Sequence, residues 1–231
     1  MSARAVSPLG TPRVHLGLTD STNERARELA SGGAPHGTLV TAAEQTAGRG
    51  RQGRTWTAPP SSAILCSLVI RDPPRLLPLA AGVAVAEVVG PEARVKWPND
   101  VLLDGRKLAG ILVEGRPQER WAVLGIGLNV AVRAEDFHPE LQGTAGTMGL
   151  ERDAVEPTLE RLLERLERWL EASPEQVLEA LRGRDARAGR EVRWAGGAGQ
   201  AVGIDGEGRL VVLAEGGRTA LDAGEVHLVG A

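Results

Sequence analysis

Cysteine is nearly absent from this sequence. Cys66 stands alone among 231 residues, so no internal disulfide can form. It sits inside the apolar run Ile64-Leu65-Cys66-Ser67-Leu68-Val69-Ile70, which predicts an inert thiol in a strand core. No neighbouring histidine supports a nucleophilic role. Histidine itself is sparse: His15, His36, His138 and His227 are scattered without metal-ligand spacing. Neither zinc nor thiol chemistry is expected, and no metal ligand is predicted among the protein's own side chains. Long apolar runs are also missing. None reaches the roughly 18 residues of a membrane span; residues 76–89 form a shorter one, interrupted by Pro78 and Gly82. Arg4 and Arg13 are not followed by the apolar core of a secretory signal. These absences predict a cytoplasmic address and no membrane partner.

What remains is the composition of a soluble globular protein. Hydrophobic residues make up 42% and charged residues 25%, with a net charge of −3, which excludes a disordered chain. The length suits one domain of ordinary size plus a small appendage. Lysine is scarce: of 27 basic residues, only Lys96 and Lys107 are not arginine. In so Arg-rich a chain, surviving lysines mark places where a compact ammonium does what a planar fork does not. Chance explains two residues equally well, but both lie beside the densest motif.

Residues 1–13 lack periodicity and are expected to form a disordered leader. Residues 14–184 read as the main domain and 185–231 as a small C-terminal one. Ser21-Thr22-Asn23-Glu24 has the spacing of a capping box, predicting a helix to about Ala30 that Ser31-Gly32-Gly33 ends. Strands are predicted at 37–42 and 64–70, separated by a polar, Gly-rich loop over 44–62. Residues 76–89 read as a buried helix. Asp104-Gly105 lies between apolar runs, a strong signal for a two-residue hairpin turn, with strands at 94–97, 101–103 and 106–114. Another strand covers 121–130. Leu159, Leu162, Leu163, Leu166, Trp169 and Leu170 form a helical stripe that predicts core packing and nothing more. The tail predicts short strands at 191–194, 200–204, 209–214 and 226–229, spaced as in a small all-β barrel. So small a unit has little core and should lean on the main domain.

Four segments carry chemistry. Gly48-Arg49-Gly50-Arg51-Gln52-Gly53-Arg54 alternates glycine, which lets backbone approach a ligand, with guanidinium forks matched to carboxylate or phosphate oxygens. It is not a P-loop, since no Gly-Lys-Ser/Thr follows. Alone it fits a ligand loop, a solvated loop and an RGG-like RNA patch alike. The slightly acidic chain and the lack of interleaved aromatics argue against RNA. In Lys96-Trp97-Pro98-Asn99-Asp100, Pro98 stops a strand and leaves Asn99 and Asp100 at an exposed bend. A two-residue turn at Asp104-Gly105 sets Leu102 opposite Lys107 and Asp100 diagonal to Lys107 on one face, roughly 7–8 Å between backbones. A plain surface salt bridge fits that pairing as well. The remaining segments are Lys107 to Glu114 and Gly125-Ile126-Gly127-Leu128-Asn129, whose two strand glycines are expected where a ligand or another backbone comes close.

In order, Ser-Thr-Asn, Gln-x-Ala-Gly-Arg-Gly-Arg-x-Gly-Arg-x-Trp, Lys-Trp-Pro-Asn-Asp, Lys-Leu-Ala-Gly-Ile-Leu-Val-Glu and Gly-x-Gly-x-Asn resemble the bacterial biotin–protein ligase family over residues 18–130. The tail resembles that family's C-terminal domain more loosely. The resemblance implies an α+β fold: a mixed β-sheet catalytic domain with packed helices, plus an SH3-like β-barrel. It implies a two-step reaction in which biotin and ATP give biotinyl-AMP and pyrophosphate, with Mg2+, and an acceptor lysine then takes the biotin. The acceptor is expected to be a biotin carboxyl carrier protein, the acetyl-CoA carboxylase subunit. By resemblance, Lys107, Arg49 and Asp100 are catalytic. Ser21, Thr22, Asn23, Gln45, Arg49, Gly50, Arg51 and Lys107 hold biotin, whose neutral ureido ring needs donors and acceptors. Arg51, Arg54, Trp56, Asn99, Lys107 and Asn129 hold ATP or the adenylate, with Trp56 as a stacking surface for adenine. Asp100 is the candidate to accept or position the acceptor lysine's proton.

Some family members carry an N-terminal helix-turn-helix domain and repress transcription. About twenty residues precede Ser21, too few for such a domain, so no sequence-specific DNA binding is expected. A homodimer paired through exposed strand edges is left open. The alternatives are a lipoate or octanoate transferase, which should have a long apolar pocket, and a non-catalytic biotin or nucleotide sensor.

Overall fold

The computed structural model describes residues 8–194 and 196–222, with only the backbone of 116 and 117. The chain opens with β1 (Arg13–Thr19), α1 (Thr22–Ser31) and β2 (Leu39–Gln45), the two strands lying parallel with α1 as their crossover. Then follow β3 (Ala63–Arg71), α2 (Leu77–Val89), β4 (Arg94–Lys96), β5 (Asp100–Leu103), β6 (Arg106–Arg116) and β7 (Trp121–Asn129). They complete a seven-stranded mixed sheet of order β1-β2-β3-β7-β6-β5-β4. Asp104 and Gly105 both have positive φ, 50° and 75°, the conformation a two-residue hairpin turn demands.

Each face of the sheet buries a different layer. On one, α1 sets Ala26 and Ala30 against Val40, Val69, Trp121 and Val123. The other carries α2 and then α3 (Val155–Glu171), whose Leu159, Leu162, Leu166 and Trp169 are buried as the stripe predicts. Replacing Leu162, which has no exposed surface, with alanine would cost about 2–5 kcal/mol. Gly82 lets α2 close on β4, since a Cβ there would sit 3.3 Å from Val95 Cγ1. The short helix α4 (Pro174–Arg182) starts from a true capping box, in which the Ser173 side chain accepts from Gln176 N–H and Gln176 returns the bond.

The tail forms a second, antiparallel sheet from β8 (Glu191–Trp194), β9 (Gly197–Ile204), β10 (Leu210–Ala214) and β11 (Gly217–Leu221), in the order β11-β10-β9-β8. Among the described residues it does not close into the expected barrel, and the strand expected at 226–229 lies outside them. It leans on the main domain: Trp97 Nε1 donates to the Gly208 carbonyl at 2.9 Å, and Arg75 pairs with Glu207 at 2.7 Å.

Two expectations need correction. Residues 8–13 are not a loose leader: Leu9 is buried, its N–H donates to Glu167 Oε1 at 2.7 Å, and Gly10 N–H donates to the Gly37 carbonyl at 2.9 Å. One apolar side chain covering the end of the core suffices to dock a segment that has no periodicity. The capping box at Ser21 is also not formed. The helix begins where expected, but Ser21 makes no side-chain cap, and the Ser21 N–H donates to Asp20 Oδ1 at 2.6 Å in place of Glu24.

Candidate active site

The floor of the site is the face of β6 and β7 nearest the start of α1. Gly110 and Gly127 are direct cross-strand partners there, and Gly125 faces Leu112. A Cβ on Gly125 would overlap the Asn23 amide and one on Gly127 the Trp56 indole, while at Gly110 it would lie 3.2 Å from Trp56 Cζ3. The strand glycines are thus places of close approach, as expected, and what approaches are two side chains of the site itself.

The polar wall comes from the start of α1. Thr22 donates through both N–H and Oγ1 to Gln45 Oε1, at 2.7 and 3.1 Å. The Asn23 Nδ2 group donates to Glu114 Oε2 at 2.9 Å. Beneath them lies Ser67, fully buried, whose hydroxyl is 2.8 Å from Thr22 Oγ1 and 2.6 Å from Asn23 Oδ1. Ser67 was missed at the sequence level; its one signal was a lone hydroxyl inside an apolar strand. Buried amide and hydroxyl groups locked this way present fixed donors and acceptors to a neutral polar ring.

The Arg-Gly loop folds back on itself. Trp56 N–H donates to the Gly48 carbonyl at 2.9 Å, and Arg49 bridges Thr55. Two arginines pin it to the domain. Arg49 spans Glu24 at 3.2 Å and Glu114 at 3.1 Å, while Arg51 Nη1 donates to Asn99 Oδ1 at 2.9 Å. Partial burial lowers the Arg51 pKa, a shift that the nearby Asp100 charge opposes. Arg54 is exposed and does not line the cavity.

Lys107 and Asp100 meet as the hairpin register requires. Leu102 is the partner of Lys107, and Lys107 Nζ lies 2.7 Å from Asp100 Oδ1. A bulge opposite Val101 and Leu102 inserts one residue into β6, which brings Lys107 and Gly110 onto the same face although they are three apart. The ammonium is also 5.8 Å from the Trp56 ring centre, within cation–π range. The Lys107 backbone is clamped by residues 144–146: its N–H donates to the Thr144 carbonyl and its carbonyl accepts from Gly146 N–H, both at 2.8 Å.

Ser21, Thr22, Asn23, Gln45, Arg49, Gly50, Arg51, Trp56, Asn99 and Lys107 line one cavity. Its volume is about 50 Å3, far below the roughly 300–1,000 Å3 of ligand pockets. Trp56 packs against Gly110 and Gly127 on its floor, and a ligand of ordinary size needs more room than this cavity offers. Asn129 is not brought into this cavity; it is buried under the 144–146 segment and donates to the Gly146 carbonyl at 2.9 Å. Among the described residues, no three His, Cys, Asp or Glu side chains converge on a metal position. The nearest carboxylates, Asp100, Glu24 and Glu114, are each held by a cation.

Comparison with known proteins fits this geometry. Residues 16–130 match the biotin/lipoate A/B protein ligase family, and residues 189–229 the biotin protein ligase C-terminal domain. The biotin–[acetyl-CoA-carboxylase] ligase of Mycobacterium tuberculosis is 40% identical over 91% of this chain and 86% of its own. The bifunctional ligase/repressor BirA of Bacillus subtilis is 39% identical over 61% of this chain and 47% of its own length, so the match spans about half of that relative. Among solved structures, the Aquifex aeolicus biotin protein ligase in complex with biotin and ATP superposes with a TM-score of 0.80 at 28% identity, covering 96% of this chain and 100% of that one. With both sheets, the ordered motifs and near full-length identity in agreement, the chain belongs to the biotin–protein ligase family.

Proposed function

We propose that this protein activates biotin with ATP and transfers it to a lysine of a biotin carboxyl carrier protein. The observation that carries the reading is the convergence of two unlike chemistries in one cavity. A wall of hydrogen-bonding groups, Ser21, Thr22, Asn23 and Gln45, suits a neutral ureido ring. In the same cavity, Lys107 and Arg51 supply cations for two mutually repelling anions. A long apolar acyl chain, the mark of a lipoate or octanoate transferase, would meet buried polar groups there and leave them unpaired.

In the first step a biotin carboxylate oxygen bonds to the α-phosphorus of ATP, and the bond from that phosphorus to the bridging oxygen breaks. Pyrophosphate leaves with the electron pair. Lys107 is read as the contact to both the carboxylate and the α-phosphate, with Arg51 and Arg49 beside them. One fixed cation of this kind contributes roughly 3–4 kcal/mol, about 10² to 10³ in rate. In the second step the acceptor's lysine nitrogen attacks the biotinyl carbonyl carbon and AMP leaves. A free lysine is protonated near neutrality, with a pKa near 10.4, so a proton must go first. Asp100 is the carboxylate placed to take or orient it.

Asn99 is read as an adenylate contact, with Arg54 and Trp56 on the same ligand once the loop has moved, while Asn129 serves from behind by holding the 144–146 segment that clamps Lys107. Mg2+ enters as the counter-ion of the ATP phosphates, since the nearby carboxylates are already paired and build no cage of their own. No helix among the described residues is long and apolar enough to cross a membrane. The outer edge of β1, with Val14 and Leu18 exposed, is where a second copy would pair. Biotin-dependent exchange of labelled pyrophosphate into ATP tests the reading. Purified protein that binds biotin but catalyses no exchange is a sensor and not a ligase, and exchange supported by lipoate in place of biotin changes the substrate class.

A further inference from the structure

The backbone of Lys107 is held by a strap that lies outside every motif of the cleft. On β5, Leu102 pairs with Lys107 and Val101 with Ala109, so the bulge leaves Leu108 between them without a place in that ladder. The pairing of β6 with β7 begins only at Ala109 and Leu128, and the β7 side of Lys107 lies beyond it. Residues 144–146 take up that side as a short parallel bridge. Lys107 N–H donates to the Thr144 carbonyl and Gly146 N–H to the Lys107 carbonyl, both at 2.8 Å. The strap is anchored in turn at the end of β7. Asn129 Nδ2 donates to the Gly146 carbonyl at 2.9 Å, Met148 N–H to the Asn129 carbonyl at 3.0 Å and Leu150 N–H to the Val130 carbonyl at 3.1 Å. Gly146 thus gives its N–H to the lysine and its carbonyl to the end of β7.

Only glycine fits at this crossing. A Cβ on Gly146 would lie 2.7 Å from Leu108 Cδ1 and 3.0 Å from Arg106 Cβ, the side chains that flank Lys107 in sequence. Leu108 is buried in the main core, whose close packing leaves it little room to swing clear. The φ of Gly146 is not in the left-handed region, so space and not backbone conformation demands the glycine. A side chain at this position has to part the strap from residues 106–108, and that parting moves Lys107. The Lys107 ammonium stands 2.7 Å from Asp100 Oδ1 and 5.8 Å from the Trp56 ring centre. Displacing a reacting group by about 1 Å costs on the order of 10²-fold in rate, even when the change lies away from the chemistry.

We propose that Gly146 is a positioning residue for adenylate synthesis: held by Asn129, its backbone fixes where the Lys107 ammonium stands between the biotin carboxylate and the α-phosphate. This rests on the ligase reading above. The bonds made and broken are those of the first step, and Gly146 touches neither substrate.

Biotin-dependent pyrophosphate exchange by the full chain, resolved into kcat and KM, tests it. Gly146→Ala is expected to lower kcat about tenfold or more. The KM for biotin should stay within about threefold, because the wall at Ser21, Thr22, Asn23 and Gln45 is untouched. Leu108→Val removes the Cδ1 atom that a Cβ on Gly146 would meet. Alone it should leave exchange within about threefold, and in the Gly146→Ala background it should restore most of the lost kcat, a rescue that independent losses of stability would not give. An unchanged kcat in Gly146→Ala, a loss confined to the KM for biotin, or a kcat loss that Leu108→Val leaves in place overturns the proposal. If Gly146→Ala does not fold, Asn129→Leu carries the test, since it withdraws the donor from the Gly146 carbonyl at similar volume. A lower kcat at unchanged KM for both substrates then supports the role of the strap, and a normal kcat or a loss confined to the KM for ATP overturns it. Wild-type protein without biotin-dependent exchange overturns the ligase reading itself, whereas an active wild type with an equally active Gly146→Ala overturns only the role of Gly146.

Discussion

The indole of Trp56 rests so closely on Gly127 that a Cβ on that glycine would overlap the ring. Trp56 in turn carries the loop of Arg49 and Arg51, so a backbone atom in the middle of the sheet decides where the cations stand. Gly127→Ala should keep the fold, because alanine suits a strand at least as well as glycine does. It should displace Trp56 and the loop that it carries, and biotin affinity should change by roughly fivefold or more, the scale of overpacking that costs about 1–3 kcal/mol. Calorimetric titration with biotin reads the change. Unchanged affinity would mean that the Trp56 position is unrelated to the ligand site.

Lys107 is the group on which adenylate synthesis depends. Lys107→Ala removes the ammonium 2.7 Å from Asp100 and leaves a carboxylate facing two anionic substrates. Biotin-dependent pyrophosphate exchange should fall by about 10² to 10³. Biotin affinity should fall much less, because the hydrogen-bonding wall at Ser21, Thr22, Asn23 and Gln45 is untouched. Normal exchange in the variant would move the role of Lys107 elsewhere.

Asp100→Asn separates the two half-reactions. The amide keeps the shape of the side chain but accepts no proton, so biotinyl-AMP formation should be largely intact while transfer to the acceptor slows. Rapid-quench measurement of each half-reaction distinguishes this from a role in holding Lys107, for which both would slow together.

Cys66 should be chemically silent in the folded protein. Burial pushes its thiol up to about 12, against the downward pull of the Arg13 charge and the Ile126 backbone. A thiol reagent at pH 8 should therefore label it only after denaturation. Because the folded value lies above the unfolded one, the contribution of this group to stability is complete below the thiol's ordinary 9.0 and declines as pH rises toward 12. Rapid labelling of native protein would show that the strand opens.

What was legible in the sequence was what local chemistry decides. Asp104-Gly105 named its own turn type, and through it the register that joins Asp100 to Lys107. The Leu159 to Leu170 stripe named the buried face of α3. Less was legible where partners arrive from far along the chain. β1 alternates Val14, Leu16 and Leu18 with polar residues, but an edge strand bonded only to β2 leaves most of its residues exposed, so the alternation marks no buried face. Ser67 looks like an irregularity in an apolar run until Thr22 and Asn23 are set above it. The capping box at Ser21 shows the opposite failure. The pattern was present, but Glu24 is drawn to Arg27 on its own helix and to Arg49 on the loop, and the Ser21 N–H goes to Asp20, so other partners replaced the bonds of the box.

Glu114 joins the two halves of the site. Its Oε2 accepts from Asn23 Nδ2 at 2.9 Å and its Oε1 is 3.1 Å from Arg49 Nη2. An amide has only one accepting oxygen, so in Glu114→Gln one of those donors must face an NH2 group. Hydrogen bonds to charged groups are worth about 1.5–3 kcal/mol, and partial exposure of Arg49 reduces its share toward the lower end. Biotin affinity should fall by roughly 5- to 30-fold as Asn23 loses its orientation, corresponding to about 1–2 kcal/mol. Amide exchange over residues 48–56 should quicken as Arg49 is released. The competing possibility is that Glu114 restrains Arg49 away from the ligand. The variant would then bind biotin more tightly while the loop still loosened, so affinity and exchange measured on one preparation tell a support from a restraint.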